Sequence, residues 1–251
     1  MAVSESDADT SMSQLAITKQ QLRRTIKSRL ATVSRDSAKA QSQAIFNSLL
    51  TWPPYANAKR LSVFLSMPSG EVQTDAIVRH ALRSGKDVFV PYLHKSSLDV
   101  LDMPARVMDM VRLRDLSDYE SLAPDRWGIP SIDPASVHER ESILGERPDD
   151  APEHADRPPG LDLILMPGVA FDIDPNSGRI RRCGHGKGFY DFFLHRYAAK
   201  MSAKGRSDSC PALLCGLSLT EQFSPTLGLS VPTGPLDRHL DALILGNGEI
   251  K

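Results

Sequence analysis

One segment of the chain combines the residue types that hold phosphate groups. A short apolar run ends at Met166, Pro167-Gly168 and a glycine-rich loop follow, and an apolar, helix-like stretch starts at Phe189. Glycines let the backbone approach an anion closely, and the first N–H groups of a helix attract negative charge. We therefore expect a buried strand, a flexible cationic loop and a helix start that together can bind a phosphate. The loop's basic residues and glycines are Arg179, Arg181, Arg182, His185, Lys187, Gly178, Gly184, Gly186 and Gly188.

The loop matches neither of the two common nucleotide-binding templates. Lys187 is followed by Gly188 instead of Ser or Thr, which excludes the standard P-loop. The dinucleotide fingerprint G-x-G-x-x-G also fails, because Gly184 and Gly186 are followed by Phe189 where the third glycine should stand. A surface loop whose basic side chains are only solvated stays open as an alternative.

A carboxylate follows a second expected strand end. Residues 61–65 predict a strand, and Glu71 comes just before an expected helix cap at Thr74. Glu71 can stabilise the helix start through the macrodipole. It can equally accept hydrogen bonds from a ligand rich in ring nitrogens, while Leu65 and Met67 pack on the ligand's rings. The local sequence does not decide between the two.

A basic pair lies near the start of the chain. The capping-box spacing of Thr18 and Gln21 predicts a helix start at Thr18, and apolar residues at every fourth position continue that helix. Lys19 and Arg23 are four residues apart and share a face in its first turns. They could reach an anion, although spacing alone favours a solvated face.

The elements that must position these residues alternate between strands and helices. This order, with nearly continuous apolar strands, predicts a single α/β domain of three layers, in which helices flank a mostly parallel central sheet. Ligands of such sheets bind beyond the carboxyl ends of the strands. The strand over 107–113 alternates as if one face were exposed, and the strand over 88–90 is expected to end at Pro91. The expected strands are 61–65, 88–90, 107–113, 161–166, 213–217 and 240–245, and the later helices are 34–50, 74–84 and 188–199.

Composition shifts mark the boundaries of the domain. The first 13 residues are polar and acidic, and we expect them to be disordered, with the α/β domain covering residues 14–248. Residues 135–160 are charged and rich in proline, which predicts an exposed, partly disordered insertion. His138 and His154 lie there without ligand-spaced partners, and we expect both to be solvated.

The whole-chain composition excludes several classes. The 251 residues are 41% hydrophobic and carry a formal net charge of -1, which argues against bulk nucleic-acid binding and against an electrostatic membrane module. No apolar run reaches the roughly 18 residues that span a bilayer. Cys183, Cys210 and Cys215 lack the spacing of a zinc or disulfide framework. We expect a cytoplasmic monomer.

The motifs taken together resemble one family, the 5-formyltetrahydrofolate cyclo-ligases, also called 5,10-methenyltetrahydrofolate synthetases. The resemblance covers most of residues 19–245 outside the insertion. Five segments match in the family's order: KQQLRRTIKSRL, FLSMPSGEVQTDAIVRHAL, MDMVRL with RWGIP, LDLILMPGVAFD with GHGKGFYDFFL, and SVPTGPLDRHLDALI.

The resemblance implies a reaction. Such enzymes use ATP and Mg²⁺ to convert 5-formyltetrahydrofolate into 5,10-methenyltetrahydrofolate, releasing ADP and phosphate. The formyl oxygen attacks the γ-phosphate, N10 of the folate closes on the activated carbon, and phosphate leaves. Phosphoryl transfer of this kind needs positioning and charge neutralisation more than a protein nucleophile.

The resemblance also implies roles for residues at matching positions. Lys187 and Tyr190 are expected to be catalytic, and Asp191 and Asp237 to hold Mg²⁺. The expected folate contacts are Leu65, Met67, Glu71, Trp127 and Tyr190, and the expected ATP contacts are Lys19, Arg23, Arg182, Gly184, His185, Gly186, Lys187, Gly188, Phe189 and Tyr190.

The chain departs from the family pattern inside the loop. His185 stands where the family has arginine, so a permanent phosphate donor is missing, for which Arg181 or Arg182 could compensate. An extra residue precedes Glu71, and the loop over residues 173–182, ahead of the glycine-rich motif, is longer than usual. Two rival functions therefore remain: a non-catalytic relative that binds folate or nucleotide, and an unrelated α/β enzyme that grips another phosphate.

Overall fold

The computed structural model describes residues 5–96, 105–145, 160–203 and 212–251, with side chains from residue 13 onward. Within these ranges the helices are α1 (Glu5–Leu30), α2 (Arg35–Thr51), α3 (Pro53–Asn57), α4 (Asp75–Arg83), α5 (Leu116–Glu120) and α6 (Phe189–Ala203), with short 3-10 helices at Pro134–Glu139, Thr220–Gln222 and Ser224–Leu227. The strands are β1 (Arg60–Val63), β2 (Asp87–Lys95), β3 (Arg106–Arg112), β4 (Ala123–Pro124), β5 (Pro130–Ser131), β6 (Leu163–Met166), β7 (Ala170–Ile173), β8 (Ile180–Cys183), β9 (Leu213–Ser218) and β10 (Ala242–Leu245).

Six of the strands form the central sheet, in the order β10-β9-β6-β1-β2-β3. All neighbours are parallel except β3, which runs antiparallel to β2 along one edge. Two small antiparallel pairs, β4 with β5 and β7 with β8, lie outside it. The predicted mostly parallel sheet is therefore confirmed.

Side chains of one strand point alternately into two separate cores. On β6, Leu163 and Leu165 belong to one buried cluster, whereas Ile164 and Met166 belong to another. The first cluster contains Ile26 of α1, Ile45 of α2 and Ile77 of α4, and the second contains Phe193 and Tyr197 of α6. This alternation is the period of two expected for a strand buried on both faces. It confirms the predicted three layers, with helices on both sides of the sheet.

The first helix is longer than predicted. It begins at Glu5 and not at Thr18, so it includes residues 5–13 of the segment that was expected to be disordered. Residues 1–4 of that segment lie outside the described residues. Once the buried stripe of Leu22 and Ile26 fixes a helix, extending it costs much less than nucleating one. The predicted second helix is confirmed: Ser34 caps α2 by accepting a hydrogen bond from the Ser37 N–H.

Three further expectations are wrong in detail. The strand β2 continues through Pro91 to Lys95, because its antiparallel partner β3 extends the pairing. In β3, residues 107–111 are all buried, so this strand has no exposed face. The flexible cationic loop is largely a hairpin, since β7 and β8 pair from Ala170 with Cys183 to Ile173 with Ile180.

The beginning of the expected insertion also packs on the sheet. Ile143 is buried and donates its N–H to the Met110 carbonyl (2.9 Å), and Arg140 is buried in an ion pair with Asp118 (2.6 Å). Residues 135–145 are thus an ordered edge of the domain and not an exposed insertion, because buried Ile143 and paired Arg140 anchor them. Residues 146–159, including His154, lie outside the described residues.

The parallel pairing of β1 with β6 determines where a site can form. Both strands leave the sheet at the same edge, so the segment after Val63 and the segment after Met166 start side by side. The first segment carries Glu71, and the second leads through the hairpin into the glycine-rich loop. The topology therefore brings together two motifs that are over 100 residues apart in sequence.

Candidate functional site

The glycine-rich loop connects the hairpin to the N-terminus of α6. Gly186 and Gly188 have positive φ angles of 95° and 66°, which glycine adopts without strain. A Cβ on Gly186 would lie only 3.2 Å from the Arg23 guanidinium carbon, so a side chain here would crowd α1. The loop therefore places exposed backbone at the start of a 15-residue helix, where an anion is favoured.

Two cations of α1 face this loop. The Arg23 Nε donates a hydrogen bond to the Gly184 carbonyl (2.7 Å), and the Lys19 ammonium pairs with Asp237 (2.5 Å). Both lie in the middle of α1 and not in its first turns, because the helix starts at Glu5. The face that spacing alone favoured as solvated is thus partly buried against the loop.

The two carboxylates that were expected to hold a metal lie next to each other in the fold. Asp191 accepts from the Arg182 guanidinium (3.0 Å) and from the Arg238 N–H (3.2 Å), and Arg238 directly follows Asp237. Asp237 accepts from the Gly234 N–H (2.6 Å) as well as from Lys19. Among the described residues, no three His, Cys, Asp or Glu side chains converge on one point. A site here would resemble the usual Mg²⁺ arrangement of one or two carboxylates completed by phosphate and water.

Arg182 and Tyr190 link the loop to the helix. The Arg182 guanidinium lies 5.4 Å from the centre of the Tyr190 ring. The Arg182 Nε and the Tyr190 hydroxyl are both buried without a hydrogen-bond partner among the described atoms. Burial raises the pKa of Tyr190, so its hydroxyl stays protonated and can donate. A polar ligand could satisfy such unpaired buried donors.

The Glu71 carboxylate lies under its own loop. It accepts a hydrogen bond from the Met67 N–H (2.5 Å) and is only 6% exposed. Desolvation raises the pKa of Glu71 to about 7, although the Met67 N–H partly offsets this effect. The charge of Glu71 also contributes to the raised pKa of Tyr190, after the larger effect of burial. Leu65 is buried in the core beneath them.

Trp127 lies on the neighbouring loop. Trp127 is 51% exposed, and the Arg126 guanidinium lies 3.9 Å from the centre of the indole ring. A Cβ on Gly128 would lie 2.7 Å from the ring of Pro68, so the Trp127 loop packs directly on the segment between Met67 and Glu71. The structure thus brings the expected folate-side residues together at one end of the site.

Arg181 and Arg182, the two candidates to replace the missing loop arginine, have different partners in the structure. Arg181 donates two hydrogen bonds to Asp172 within the hairpin (2.7 and 2.5 Å). It is therefore not available to replace the arginine that the family has at position 185. Arg182 points to Asp191 instead. His185 itself lies on the exposed surface of the loop. Its pKa is lowered by desolvation and by the nearby cations Lys27, Arg23 and Arg182, so the imidazole is neutral at pH 7.

A groove of about 830 Å³ opens between α6 and residues 235–241. Lys187, Asp191 and Asp237 line it, together with Arg179 and Arg238. The folate-side residues do not line it, so this groove adjoins the nucleotide half of the site. In the described part of the chain, the exposed Lys187 ammonium makes no ion pair or hydrogen bond and is free to meet an anion.

Comparison with known proteins identifies the family of the chain. A family model described as the 5-formyltetrahydrofolate cyclo-ligase family matches residues 16–246. The chain belongs to this family of ligases. A Caenorhabditis elegans protein named "Probable 5-formyltetrahydrofolate cyclo-ligase" is 34% identical over 93% of this chain and 95% of its own length. The 5-formyltetrahydrofolate cyclo-ligase of Saccharomyces cerevisiae is 30% identical over 93% of this chain and 97% of its own length.

Solved structures share the fold. The 5,10-methenyltetrahydrofolate synthetase of Aquifex aeolicus aligns with a TM-score of 0.58 at 21% identity, covering 93% of this chain and 91% of that chain. The enzyme of the same name from Mycoplasma pneumoniae aligns with a TM-score of 0.53 at 17% identity, covering 92% and 99%. The family assignment excludes the rival of an unrelated α/β enzyme.

Sequence reasoning missed three groups at the site. The N–H groups of Gly234 and Arg238 hold the two aspartates, and backbone groups leave no signal in residue types. The Gln73 side chain braces the segment that carries Glu71, and a glutamine before a helix had no distinguishing pattern.

Proposed function

We propose that the chain converts 5-formyltetrahydrofolate into 5,10-methenyltetrahydrofolate in a reaction that uses ATP and Mg²⁺ and releases ADP and phosphate. The observation that supports this most is the shared strand edge. The segment that carries Glu71 and the segment that leads to the glycine-rich loop leave the paired strands β1 and β6 side by side, so a folate half and a nucleotide half can adjoin. An enzyme that phosphorylates one bound molecule with another needs two such half-sites next to each other.

The nucleotide half would hold the phosphates of ATP. Lys19 and Arg23 of α1 approach from one side, Arg182 from beneath, and the free Lys187 from the loop itself. The backbone of Gly184, Gly186 and Gly188, with Phe189 at the helix start, supplies N–H groups, and the exposed His185 adds a neutral donor. We assign Lys187 the catalytic role of neutralising charge on the transferred phosphoryl group.

Mg²⁺ would be held by Asp191 and Asp237. Their oxygens suit a hard cation, and the Oδ1 of Asp237 makes no hydrogen bond within the described structure. When bound, Mg²⁺ would screen the charge of the phosphates.

The folate half would orient the reacting groups. Glu71 would accept hydrogen bonds from the N–H groups of the pterin, with Leu65, Met67 and the exposed Trp127 packing on the rings. The Tyr190 hydroxyl, protonated and without a partner among the described atoms, would donate to the formyl oxygen and hold it towards the γ-phosphate. After phosphoryl transfer, N10 would attack the formyl carbon, the C–O bond would break, and phosphate would leave.

The test is absorbance in the methenyltetrahydrofolate band after mixing the chain with 5-formyltetrahydrofolate, Mg²⁺ and ATP. An ATP-dependent rise, absent without ATP and lost in Lys187→Met, is the expected result. A flat trace from folded chain would overturn the proposal. A folate titration would then test the non-catalytic relative, which the neutral His185 favours because it lacks a permanent phosphate donor.

We further propose that the enzyme acts as a cytoplasmic monomer. Part of each edge of the central sheet is already paired within the described chain, residues 110–112 of β3 with residues 141–143 and residues 243–245 of β10 with residues 249–251, which leaves less free strand edge for a second copy. Cys183 and Cys215 are buried free thiols, as a reducing compartment allows. No described helix is long and apolar enough to cross a bilayer. Light scattering tests the monomer, since it measures the mass of the chain in solution. Imaging of the tagged chain tests the compartment, and a mitochondrial signal, as the name of a relative in Arabidopsis thaliana would suggest, would overturn a cytoplasmic location.

A further inference from the structure

The segment that carries Glu71 runs from residue 64 to residue 74 and forms an arch. Hydrogen bonds hold it both at its base and in its inner part, residues 67–71. At its base, the Thr74 hydroxyl donates to the Phe64 carbonyl (2.7 Å), and the Gln73 N–H donates to the Ser42 hydroxyl on α2 (2.9 Å). Buried Val72 anchors the same base in the core. These contacts fix where the arch starts and ends, but not the path between Met67 and Glu71.

The inner part of the arch has little packing to hold it. Pro68 and Ser69 are exposed, and Gly70 turns the chain with a φ of 82° and no atom within 4 Å of where its Cβ would lie. The Trp127 loop packs on Pro68 through Gly128. The path of the chain over residues 68–70, which leads into buried Glu71, therefore depends largely on hydrogen bonds within the arch.

The Gln73 side chain supplies two of these hydrogen bonds. Its amide nitrogen donates to the Met67 carbonyl and to the Glu71 carbonyl, both at 3.0 Å. The Met67 N–H in turn donates to the Glu71 carboxylate (2.5 Å). One amide group thus ties both ends of the inner arch, and its contact with the Met67 carbonyl fixes the residue whose N–H aims the carboxylate.

We propose that Gln73 is the positioning residue that holds the Glu71 carboxylate in the orientation in which it receives the folate. The inference rests on the proposed function, because it assumes that Glu71 contacts the substrate. Among the described residues, the Gln73 side chain donates only to the carbonyl groups of Met67 and Glu71, so it acts through those two residues. Its removal is expected to weaken folate binding without changing the nucleotide half, which is built from α1, the glycine-rich loop and α6.

The test compares Gln73→Met with the wild-type chain and with Gln43→Met. Methionine keeps the length of the side chain but has no donor. Gln43 is an exposed glutamine of α2 whose amide bonds only the side chain of Asn47, so it controls for the loss of an amide elsewhere. We expect Gln73→Met to raise the KM for 5-formyltetrahydrofolate about tenfold, as the loss of one to two hydrogen bonds predicts. Its kcat and its KM for ATP should match those of the control.

A second variant and a second measurement keep the proposal open to refutation. Gln73→Glu presents an ionised carboxylate to two carbonyl oxygens, so we expect a larger rise in the folate KM. Hydrogen exchange at the Met67 amide, measured without substrate, should be slow in the wild-type chain and fast in both variants. An unchanged folate KM in Gln73→Met would overturn the proposal. So would a fall in its kcat together with a rise in its KM for ATP.

The amide measurement also separates this inference from the proposed function. Should the wild-type chain fail to turn over folate, the proposed function fails, but protection of the Met67 amide still reports on Gln73. Slow exchange retained in Gln73→Met would refute the positioning role even in an active enzyme. If the wild-type chain is inactive but its Met67 amide exchanges slowly, fast exchange of that amide in Gln73→Met would support the positioning role of Gln73.

Discussion

Replacing Glu71 by glutamine should stabilise the fold at alkaline pH while weakening folate binding. Glutamine keeps the size of the side chain and an oxygen for the Met67 N–H, but it carries no charge. Burial raises the pKa of Glu71 from 4.5 to about 7 in the folded chain. Because a tenfold change in proton affinity corresponds to about 1.4 kcal/mol, the ionised carboxylate costs the fold about 3 kcal/mol.

The pH dependence follows from the direction in which the pKa moves. Below pH 4.5 the carboxyl is protonated in both the folded and the unfolded chain, so it costs nothing. Between pH 4.5 and about 7 the folded chain binds more protons than the unfolded chain, and stability falls as pH rises. Above about pH 7 the full cost is present. The advantage of Glu71→Gln should therefore be small near pH 5 and approach about 3 kcal/mol near pH 8.

Urea unfolding of both chains at about pH 5 and about pH 8 measures this difference. Glu120→Gln is the matched control, because Glu120 is exposed and paired with Arg79, and its removal should change stability by less than about 1 kcal/mol without growth across this range. In the folate assay, Glu71→Gln should raise the KM by about ten- to a hundredfold, since it loses charge-assisted hydrogen bonds. An equal stability difference at both pH values would refute the reasoning.

Three other changes probe the nucleotide half and the reacting centre. His185→Arg should lower the KM for ATP several-fold, because arginine is charged where the histidine is neutral; steady-state kinetics with varied ATP would show no change or a rise if the idea is wrong. Asp237→Asn should raise the Mg²⁺ concentration needed for half-maximal rate by about tenfold or more, and an unchanged Mg²⁺ titration would count against a metal role. Tyr190→Phe should leave urea stability unchanged or slightly higher, since the hydroxyl is buried without a partner among the described atoms, while kcat falls; the opposite pattern would place Tyr190 in the fold and not in the reaction.

The sequence by itself determined the layered α/β architecture. Strands such as residues 163–166 are apolar on both faces, and such a strand is stable only between two layers of helices. The sequence also identified the loop ahead of α6, because glycines and cations before a helix have a direct physical meaning. The family resemblance then supplied the candidate roles of Lys19, Arg23 and Asp237, which spacing alone would have left as surface residues.

Only the tertiary structure decided which groups meet. Lys19 and Asp237 are 218 positions apart, and their ion pair follows from how α1 packs against the core, which no local pattern encodes. The hairpin of β7 and β8 was hidden because short strands outside the main sheet have weak periodicity. The engagement of Arg181 by Asp172 and the brace that Gln73 provides depend on hydrogen-bond geometry of a few ångströms. Residue type shows what a side chain can bind, whereas folding decides which partner lies within its reach.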